Sequence, residues 1–278
     1  MVTATPLRPD RSHARLEFLA GIRHPLERPS VVFSPRVLSH WIPDPLRDSP
    51  ADGVVVWVNP ALSENRSVSL LRVDGGATVL SLSPARADAL GFTDGERVEL
   101  AHAVARISGS GIALNTPDNL FYLTLQEQAT LSEQARLSEQ AQLRDEAGVA
   151  DTRELTAADA ASFDAFTRAA PDDDLDEAFV ELDHWLVVGT FVDGRLACAA
   201  SAYPWDETQL ADVGVITLPE FRGRGLGRAT VRAISAEALG RGYEPQYRCQ
   251  LDNTASVALA RASGFTRFGE WEVIDTDE

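Results

Sequence analysis

The chain has 278 residues, an apolar fraction of 44% and a formal net charge of −17, values typical of a folded and strongly acidic protein. The negative charge disfavours nucleic-acid binding, and no apolar run reaches the roughly 18 residues of a membrane span. The N-terminus lacks the apolar segment of a secretory signal, and the two cysteines, Cys198 and Cys249, lack the spacing of a disulfide framework or a zinc site. We therefore expect a cytoplasmic protein without a bound metal.

Every one of the 25 basic residues is arginine, because the chain contains no lysine. Schiff-base chemistry and the Walker-type phosphate loop both require lysine and are thereby excluded. Arginine stays protonated, so a general base has to be Asp, Glu, His, Tyr or Cys. The charge is −4 over residues 1–150 and −13 over residues 151–278. An acidic field of this kind favours cationic partners such as amines, although it also serves solubility alone.

Residues 1–124 are predicted to form a small α/β domain that begins with an irregular segment rich in Pro and Arg. Strands are predicted for the apolar runs 53–59, 67–73 and 77–83. A helix is expected to begin after Ser83, and the capping-box pattern TDGE at 93–96 predicts a second helix start. We find no catalytic constellation in this part of the sequence.

A six-residue repeat places leucine at positions 125, 131, 137 and 143. Six residues advance about 600° around a helix, so successive leucines point in different directions and cannot form one apolar stripe. Residues 125–148 are therefore predicted to be a solvated helix or a linker between two domains.

Residues 149–278 read as helix, hairpin, strand, glycine loop, helix, strand, helix and strand. The hairpin turn is predicted at Asp193–Gly194, and the acidic stretch PDDDLDE at 171–177 is predicted to be a loop. The glycine loop, PEFRGRGLGR at 219–228, follows the apolar strand 210–218 and precedes a helix.

The glycine loop is placed where backbone N–H groups at a helix N-terminus favour a bound phosphate. A Rossmann dinucleotide loop is excluded, because it would need glycine at Arg228. The Walker loop is excluded by the missing lysine. A surface turn with chance arginines is the remaining structural alternative.

The C-terminal half resembles the GNAT acyltransferase superfamily, whose signature [Q/R]xxGx[G/A] is present as Arg222, Gly225 and Gly227. A second family signature, an Asn that opens a helix ending in Gly-Phe, is present as Asn253 with Gly264–Phe265. The resemblance covers about residues 149–275. It implies a mixed, mostly antiparallel central sheet flanked by helices, and the N-terminal half is a candidate degenerate copy of the same fold.

The resemblance also implies acetyl-CoA as the cofactor, with its pyrophosphate on the glycine loop and its pantetheine arm paired with the preceding strand. The cofactor-binding residues it implies are Val215, Ile216, Thr217, Arg222, Gly223, Arg224, Gly225, Leu226, Gly227, Arg228 and Asn253. The structural alternatives are that residues 215–217 are simply core and that Asn253 only caps its helix.

The family transfers an acyl group by direct attack of an amine on the thioester, so the protein has to accept a proton and position two substrates. Asp212 lies at the strand position of the family's catalytic carboxylate and is the predicted general base. His184 and Glu181 are weaker candidates. The family's thiol-protonating tyrosine falls on Ala260, which leaves three possible substitutes, Ser256, Tyr243 and Tyr247, or departure of the thiolate without a dedicated acid.

The expected acceptor is a cationic amine, either a small molecule or a peptide, attracted by the acidic stretch that follows Pro171. The competing hypothesis is a catalytically idle acyl-CoA-binding module whose partner binds the N-terminal half. A homodimer is left open by the sequence.

Overall fold

The computed structural model describes residues 32–44, 53–142 and 151–274, with the backbone alone at 138–142. Most of the segment that was predicted to be irregular at the N-terminus lies outside the described residues, as does the end of the predicted linker, 143–148. The described residues form one compact unit.

The predicted helices and strands are present in their order, together with unpredicted helices at 35–41 and 172–178 and unpredicted short strands at 97–98 and 151–154. The helices are α1 (Pro35–Trp41), α2 (Pro84–Leu90), α3 (Leu100–Gly109), α4 (Leu125–Gln142), α5 (Ala160–Thr167), α6 (Asp172–Ala178), α7 (Leu226–Gly240) and α8 (Thr254–Ala262). The strands are β1 (Val54–Val58), β2 (Val68–Val73), β3 (Thr78–Leu82), β4 (Arg97–Val98), β5 (Asp118–Leu123), β6 (Asp151–Glu154), β7 (Leu186–Val192), β8 (Arg195–Pro204), β9 (Leu210–Thr217), β10 (Glu244–Gln250) and β11 (Phe265–Val273).

All these strands join one sheet in the order β4-β1-β3-β2-β11-β5-β10-β9-β8-β7-β6. The pairs β1/β3 and β9/β10 are parallel, and the other neighbouring pairs are antiparallel. Helices pack on this sheet through apolar clusters that include the buried Phe166 of α5 and the buried Ile234 of α7. The predicted fold class, a mixed and mostly antiparallel sheet flanked by helices, is confirmed.

Strand β5 comes from the N-terminal half of the chain but lies between two strands of the C-terminal half. It pairs antiparallel with β10, where Tyr122 lies opposite Gln246, and antiparallel with β11, where Asp118 lies opposite Trp271. The predicted domain boundaries remain a prediction. The register nevertheless places side chains of β5 beside those of β10, and this matters for the site below.

The leucine repeat forms helix α4. Leu131 is buried against the core, whereas Leu125 and Leu137 are 43% and 51% exposed, because a spacing of six turns each leucine away from the last. Arg232 of α7 donates a 2.7 Å hydrogen bond to Gln134, so α4 packs along α7.

Two local predictions were wrong. The acidic stretch expected to be a loop is helix α6, which begins after Pro171 and carries three aspartates in its first turn, where the helix dipole stabilises negative charge. The TDGE pattern does not start a helix directly. It forms a turn in which the Thr93 N–H donates to Glu96, because the next residues pair with β1 as strand β4 before α3 begins.

Strands β9 and β10 pair over three positions only, and the last pair is Asp212 with Gln246. Beyond that pair the two parallel strands separate, while β9 stays paired with β8 as far as Thr217. Along residues 213–217, the edge of β9 that faces β10 therefore has no strand partner within the described part of the chain. This opening is called the cleft below.

Candidate functional site

The cleft is continuous with a cavity of about 750 Å³ that runs from Asp212, where β9 and β10 separate, to the glycine loop. Eleven of the twelve predicted site residues line it: Asp212, Val215, Ile216, Thr217, Arg222, Gly223, Gly225, Leu226, Gly227, Arg228 and Asn253. The exception is Arg224, whose guanidinium lies over the ring of Phe221, 5.4 Å from its centroid. The structure thus brings together residues that span more than forty positions of the sequence.

The loop end of the cavity is built from backbone. Gly223 and Gly225 have φ values of 74° and 79°, which residues with a side chain rarely adopt, and helix α7 begins directly after Gly225. The first N–H groups of α7 have no acceptor within the helix, so they are available to an anion. A Cβ added at Gly227 would lie 3.1 Å from the Thr217 hydroxyl, which shows how closely the helix approaches β9.

Helix α6 crosses the cleft and contacts both of its walls. A Cβ at Gly214 of β9 would lie 1.9 Å from the backbone oxygen of Ala178, so only glycine allows α6 to sit there. At the loop end Arg222 forms an ion pair with Asp174 and also donates a 3.0 Å hydrogen bond to the Thr217 carbonyl. These contacts fix the loop to an acidic helix.

Asn253 does two things at the start of α8. Its Oδ1 accepts from the Ser256 N–H at 3.0 Å, which is the capping role considered as the structural alternative. Its Nδ2 also donates to Glu177 of α6 at 3.2 Å. Asn253 therefore lines the cavity as a helix cap whose remaining donors face the acidic helix.

The opposite end of the cavity is a cluster of polar side chains, which we call the apex cluster. It consists of Asp118 of β5, Tyr203 of β8, Asp212 of β9, and Gln246 and Arg248 of β10. Asp212 is 7% exposed and accepts from three of these side chains: Arg248 at 2.8 to 3.2 Å, Gln246 at 3.0 Å and Tyr203 at 3.2 Å. The predicted general base is thus tightly held at the point where β9 and β10 separate.

Arg248 is shared between two carboxylates. Its Nη2 pairs with Asp212 at 2.8 Å, its Nη1 pairs with Asp118 at 3.2 Å, and its guanidinium lies 4.2 Å from the centroid of Trp205. Burial alone would lower the pKa of Arg248, but the charges of Asp212 and Asp118 together raise it. The cation is therefore permanent, and it fixes the separation of the two acids.

A buried chain of hydrogen bonds connects the apex cluster to the N-terminal half. The indole N–H of Trp41 donates to the Tyr122 hydroxyl at 2.6 Å, and this hydroxyl donates to Gln246, which in turn donates to Asp212. Burial raises the pKa of Tyr122 well above its usual value, so this phenol stays protonated and keeps its donor role.

The three substitutes for the missing tyrosine lie in different places. Tyr247 and Ser256 both line the cavity and share a 2.8 Å hydrogen bond, whereas Tyr243 packs on Trp185 with ring centroids 4.4 Å apart. Burial raises the pKa of Tyr247 to about 12, so its hydroxyl stays protonated near neutral pH. Ala260 is fully buried in an apolar cluster that also contains Tyr247.

The weaker base candidates lie beside the cavity. His184 shares a hydrogen bond with Ser201 at 2.8 Å, and its ring packs on Phe179 and Tyr203 with centroids 4.9 and 5.1 Å away. Glu181 lines a separate open groove on the other side of α6. The His184 Nε2 also lies 3.5 Å from the Glu181 carboxylate, so the two weaker candidates are neighbours.

Sequence reasoning missed Asp118, Tyr203 and Arg248. An arginine in the middle of the strand PQYRCQLD was a usable signal, because an unpaired charge there would be costly. Nothing near Asp118 in the sequence points to the cleft, since its position depends on the pairing of β5 with β10.

Within the described residues, no group of His, Cys, Asp and Glu side chains is arranged to hold a metal ion. None of the helices in the same part of the chain has the length and hydrophobicity needed to span a membrane.

Three comparisons place these observations among known proteins. Residues 153–265, less than half of the chain, match the family model of the acetyltransferase (GNAT) family. No curated protein gives a significant match.

Solved structures of GNAT proteins are similar at low identity. A GNAT-family protein from Novosphingobium aromaticivorans shares 21% identity over 59% of this chain and 65% of its own, just under two thirds, with a TM-score of 0.41. An acetyltransferase from Colwellia psychrerythraea shares 13% identity over 70% of this chain and 75% of its own, with a TM-score of 0.43. With TM-scores below 0.5, these similarities establish nothing about activity. By the family match, residues 153–265, which carry the glycine loop and the cleft, are a domain of the GNAT acetyltransferase family.

Proposed function

We propose that the protein is an acetyl-CoA-dependent N-acetyltransferase that transfers an acetyl group to a primary amine by direct attack. The observation that carries this proposal is the separation of β9 and β10 after Asp212 and Gln246, which opens a cleft leading to the glycine loop. A cofactor with a pyrophosphate at one end and a hydrogen-bonding arm at the other suits this shape.

The residues present fit coenzyme A at the loop end. The backbone N–H groups of Leu226, Gly227 and Arg228 would hold the pyrophosphate, because two glycines with positive φ leave the approach free of side chains. The free edge of β9 at Val215, Ile216 and Thr217 would bond the pantetheine arm as an added strand does, and Asn253 would flank it. Bound acetyl-CoA supplies the activated acyl group as a thioester.

The acceptor that suits the cavity is a cationic amine, either a small molecule or a peptide. The cavity is lined by four carboxylates, Asp118, Asp174, Glu177 and Asp212, and by three arginines, Arg222, Arg228 and Arg248, so the arginines neutralise only part of the negative charge. The net charge of −17 likewise disfavours nucleic acid as a partner, because nucleic acid is itself strongly negative. A homodimer and a cytoplasmic location remain expectations from the sequence.

The proton chemistry requires an acceptor for the ammonium proton and a donor for the departing thiolate. Asp212, the base expected from the family pattern, lies at the apex of the cleft. Tyr247 with its partner Ser256 is the donor pair that the cavity offers in place of the missing tyrosine.

The second candidate function is an idle acyl-CoA-binding module. The observation that favours it is that Ala260, where the family carries its proton donor, is buried in the core, while Asp212 has its oxygens occupied by other side chains. Such a module would bind acetyl-CoA through the same loop and transfer nothing.

Two measurements on the full chain separate these possibilities. Saturating acetyl-CoA at about 100 times its Kd should stabilise the protein by about 2.7 kcal/mol, seen as a raised Tm, and no shift would contradict both candidates. Thiol release is then measured with putrescine, spermidine, glycinamide and a lysine-containing peptide. Amine-dependent release supports the transferase, whereas release at the background rate with every amine supports the binding module.

A further inference from the structure

Two carboxylates from different halves of the chain flank Arg248 at the apex of the cleft. Asp212 belongs to β9 of the GNAT domain, and Asp118 is the first residue of β5, which enters the sheet from the N-terminal half. Both line the cavity. They differ in how many of their lone pairs are already used.

Asp212 has little capacity left for an incoming proton donor. It accepts from four donor groups, the Arg248 Nε–H (shared between both oxygens), the Arg248 Nη2, the Gln246 amide and the Tyr203 hydroxyl, and these fill the roughly four lone-pair directions of a carboxylate. An ammonium group that approached Asp212 would have to displace one of these buried donors, and this would leave the donor unsatisfied.

Asp118 is held much more loosely. Its contact with a charged side chain is the 3.2 Å pair between Oδ2 and Arg248 Nη1, and its side chain is 18% exposed, compared with 9% for Asp212. The carboxylate is therefore anchored on one side and open to the cavity on the other. It is also the member of the pair that solvent and an acceptor can reach.

The electrostatics of the site fit a proton acceptor at this position. Burial raises the pKa of Asp118 above its usual 3.8, and the negative charge of Asp212 raises it further, while Arg248 acts in the opposite direction. The groups around it are Arg248 and Cys249 on β10, Asp212 on β9 with its partner Tyr203 on β8, and Trp271 opposite it on β11. A carboxylate with a raised pKa is a stronger base than an ordinary aspartate.

We propose that Asp118, supplied by the N-terminal half, accepts the proton of the amine substrate, and that Asp212 is a positioning residue that holds Arg248 and Tyr203. The inference rests on the proposed transferase function. It also gives the N-terminal half a role in the reaction, because β5 brings a reacting carboxylate to a cleft that the GNAT domain otherwise forms.

The step balances without a further reactant. The ammonium group gives one proton to the Asp118 carboxylate and becomes a neutral amine, whose lone pair forms the new C–N bond as the C–S bond breaks. The thiolate leaves with the sulfur electron pair and takes up the second proton that the nitrogen loses, either directly or through Tyr247, which gives its proton to the sulfur and regains one from the nitrogen. Asp118 then returns its proton to solvent, so the net products are an amide, a thiol and one proton.

The test uses the full chain and the substitution Asp118→Asn, which keeps the shape of the side chain and removes its basicity. We expect kcat/KM for the most active panel amine to fall by about 100-fold or more, with acetyl-CoA affinity by calorimetry within about twofold of wild type. Asp118→Glu, which restores a carboxylate, should recover part of the loss. Asp193→Asn, in the exposed hairpin turn, makes the same charge change outside the cavity and should have no effect.

A pH profile distinguishes a proton acceptor from a structural residue. As the pH is lowered, kcat/KM of the wild type should fall with an apparent pKa above 3.8. This fall at acidic pH should be absent in Asp118→Asn and should remain in Asp212→Asn. Carbon-13 NMR titration of the Asp118 carboxyl gives the same pKa without turnover. It should show a midpoint above the usual value of 3.8.

The outcomes separate the two proposals. If wild type transfers acetyl groups but Asp118→Asn retains full kcat/KM while still binding acetyl-CoA, the role of Asp118 is overturned and the proposed function stands. If wild type binds acetyl-CoA but acetylates no amine, both are overturned. An unchanged acidic limb in Asp118→Asn, or its loss only in Asp212→Asn, would assign the proton to Asp212.

Discussion

The two ends of the cavity are built in different ways. The loop end consists of backbone groups from one short stretch, residues 223–228, held by glycines and by the start of α7. The apex cluster consists of side chains from four strands, β5, β8, β9 and β10, joined by hydrogen bonds to Asp212 and Arg248. A backbone site depends on local conformation, whereas a side-chain site depends on the whole sheet register.

This difference determines how each end should respond to mutation. At the loop end a change matters where it adds a Cβ at positive φ or blocks the approach of an anion. In the apex cluster Asp212, Gln246 and Arg248 each have more than one partner, so removing one of them leaves other polar groups unsatisfied, and the effects of neighbouring mutations should not add.

The largest effect on folding is expected for Arg248→Met. The substitution leaves Asp118 and Asp212 in the apex cluster without their shared cation, so the free energy of unfolding should fall by about 3–5 kcal/mol. Urea denaturation measures this. Arg222→Met at the loop end is the control, because its pair with Asp174 is half exposed and should contribute no more than about 1 kcal/mol. Equal losses in both variants would contradict the contrast between the two ends.

The next effect concerns the loop backbone. Gly225→Ala places a side chain at φ 79°, which should cost about 1–2 kcal/mol and weaken acetyl-CoA binding by about tenfold. Calorimetric titration gives the affinity. Gly240→Ala at the other end of α7 has nothing within 4 Å of its added Cβ and should leave binding unchanged. If both variants bound equally well, the loop would not be the cofactor site.

A smaller effect, an increase in acetyl-CoA affinity, is expected for Asp174→Asn. Asp174 of α6 holds Arg222, so removing its charge frees the arginine for an anionic ligand and should tighten acetyl-CoA binding by about three- to tenfold. Asp173→Asn, also in the first turn of α6, is the matched control. The difference between the two variants should shrink as salt rises. Weaker binding in Asp174→Asn would show that α6 supports the bound cofactor.

The smallest effect is expected for Tyr247→Phe. Its pKa of about 12 keeps the hydroxyl protonated, so its loss should lower kcat by about threefold without altering acetyl-CoA affinity, since Ser256 remains. Tyr243→Phe, which changes a tyrosine packed on Trp185, serves as the control. A lower kcat in the control alone would remove Tyr247 from the reaction.

The loop end could be predicted from the sequence because its determinants are contiguous. Gly225 and Gly227 lie in one motif, and the cap residue Asn253 follows the next strand, so the resemblance to the GNAT family could place them in one site. Helix α6 was missed because its aspartates suggested a solvated loop, although acidic residues in a first turn also stabilise a helix.

The apex cluster could be predicted only in part. Strand periodicity and the family pattern located Asp212, but its partners depend on contacts between residues far apart in sequence: Arg248 lies 36 positions away and Asp118 lies 130 positions from Arg248. Register between distant strands is set by the folded core, and a single sequence carries no local signal for it.

Hydrogen–deuterium exchange of the full chain with and without acetyl-CoA tests the central claim most directly. The free edge of β9 at 213–217 and the loop N–H groups at 223–228 should gain protection on binding, whereas the hairpin turn at Asp193–Gly194 should not change. Binding of acetyl-CoA without added protection in either segment would contradict the assignment of the cleft as the cofactor site.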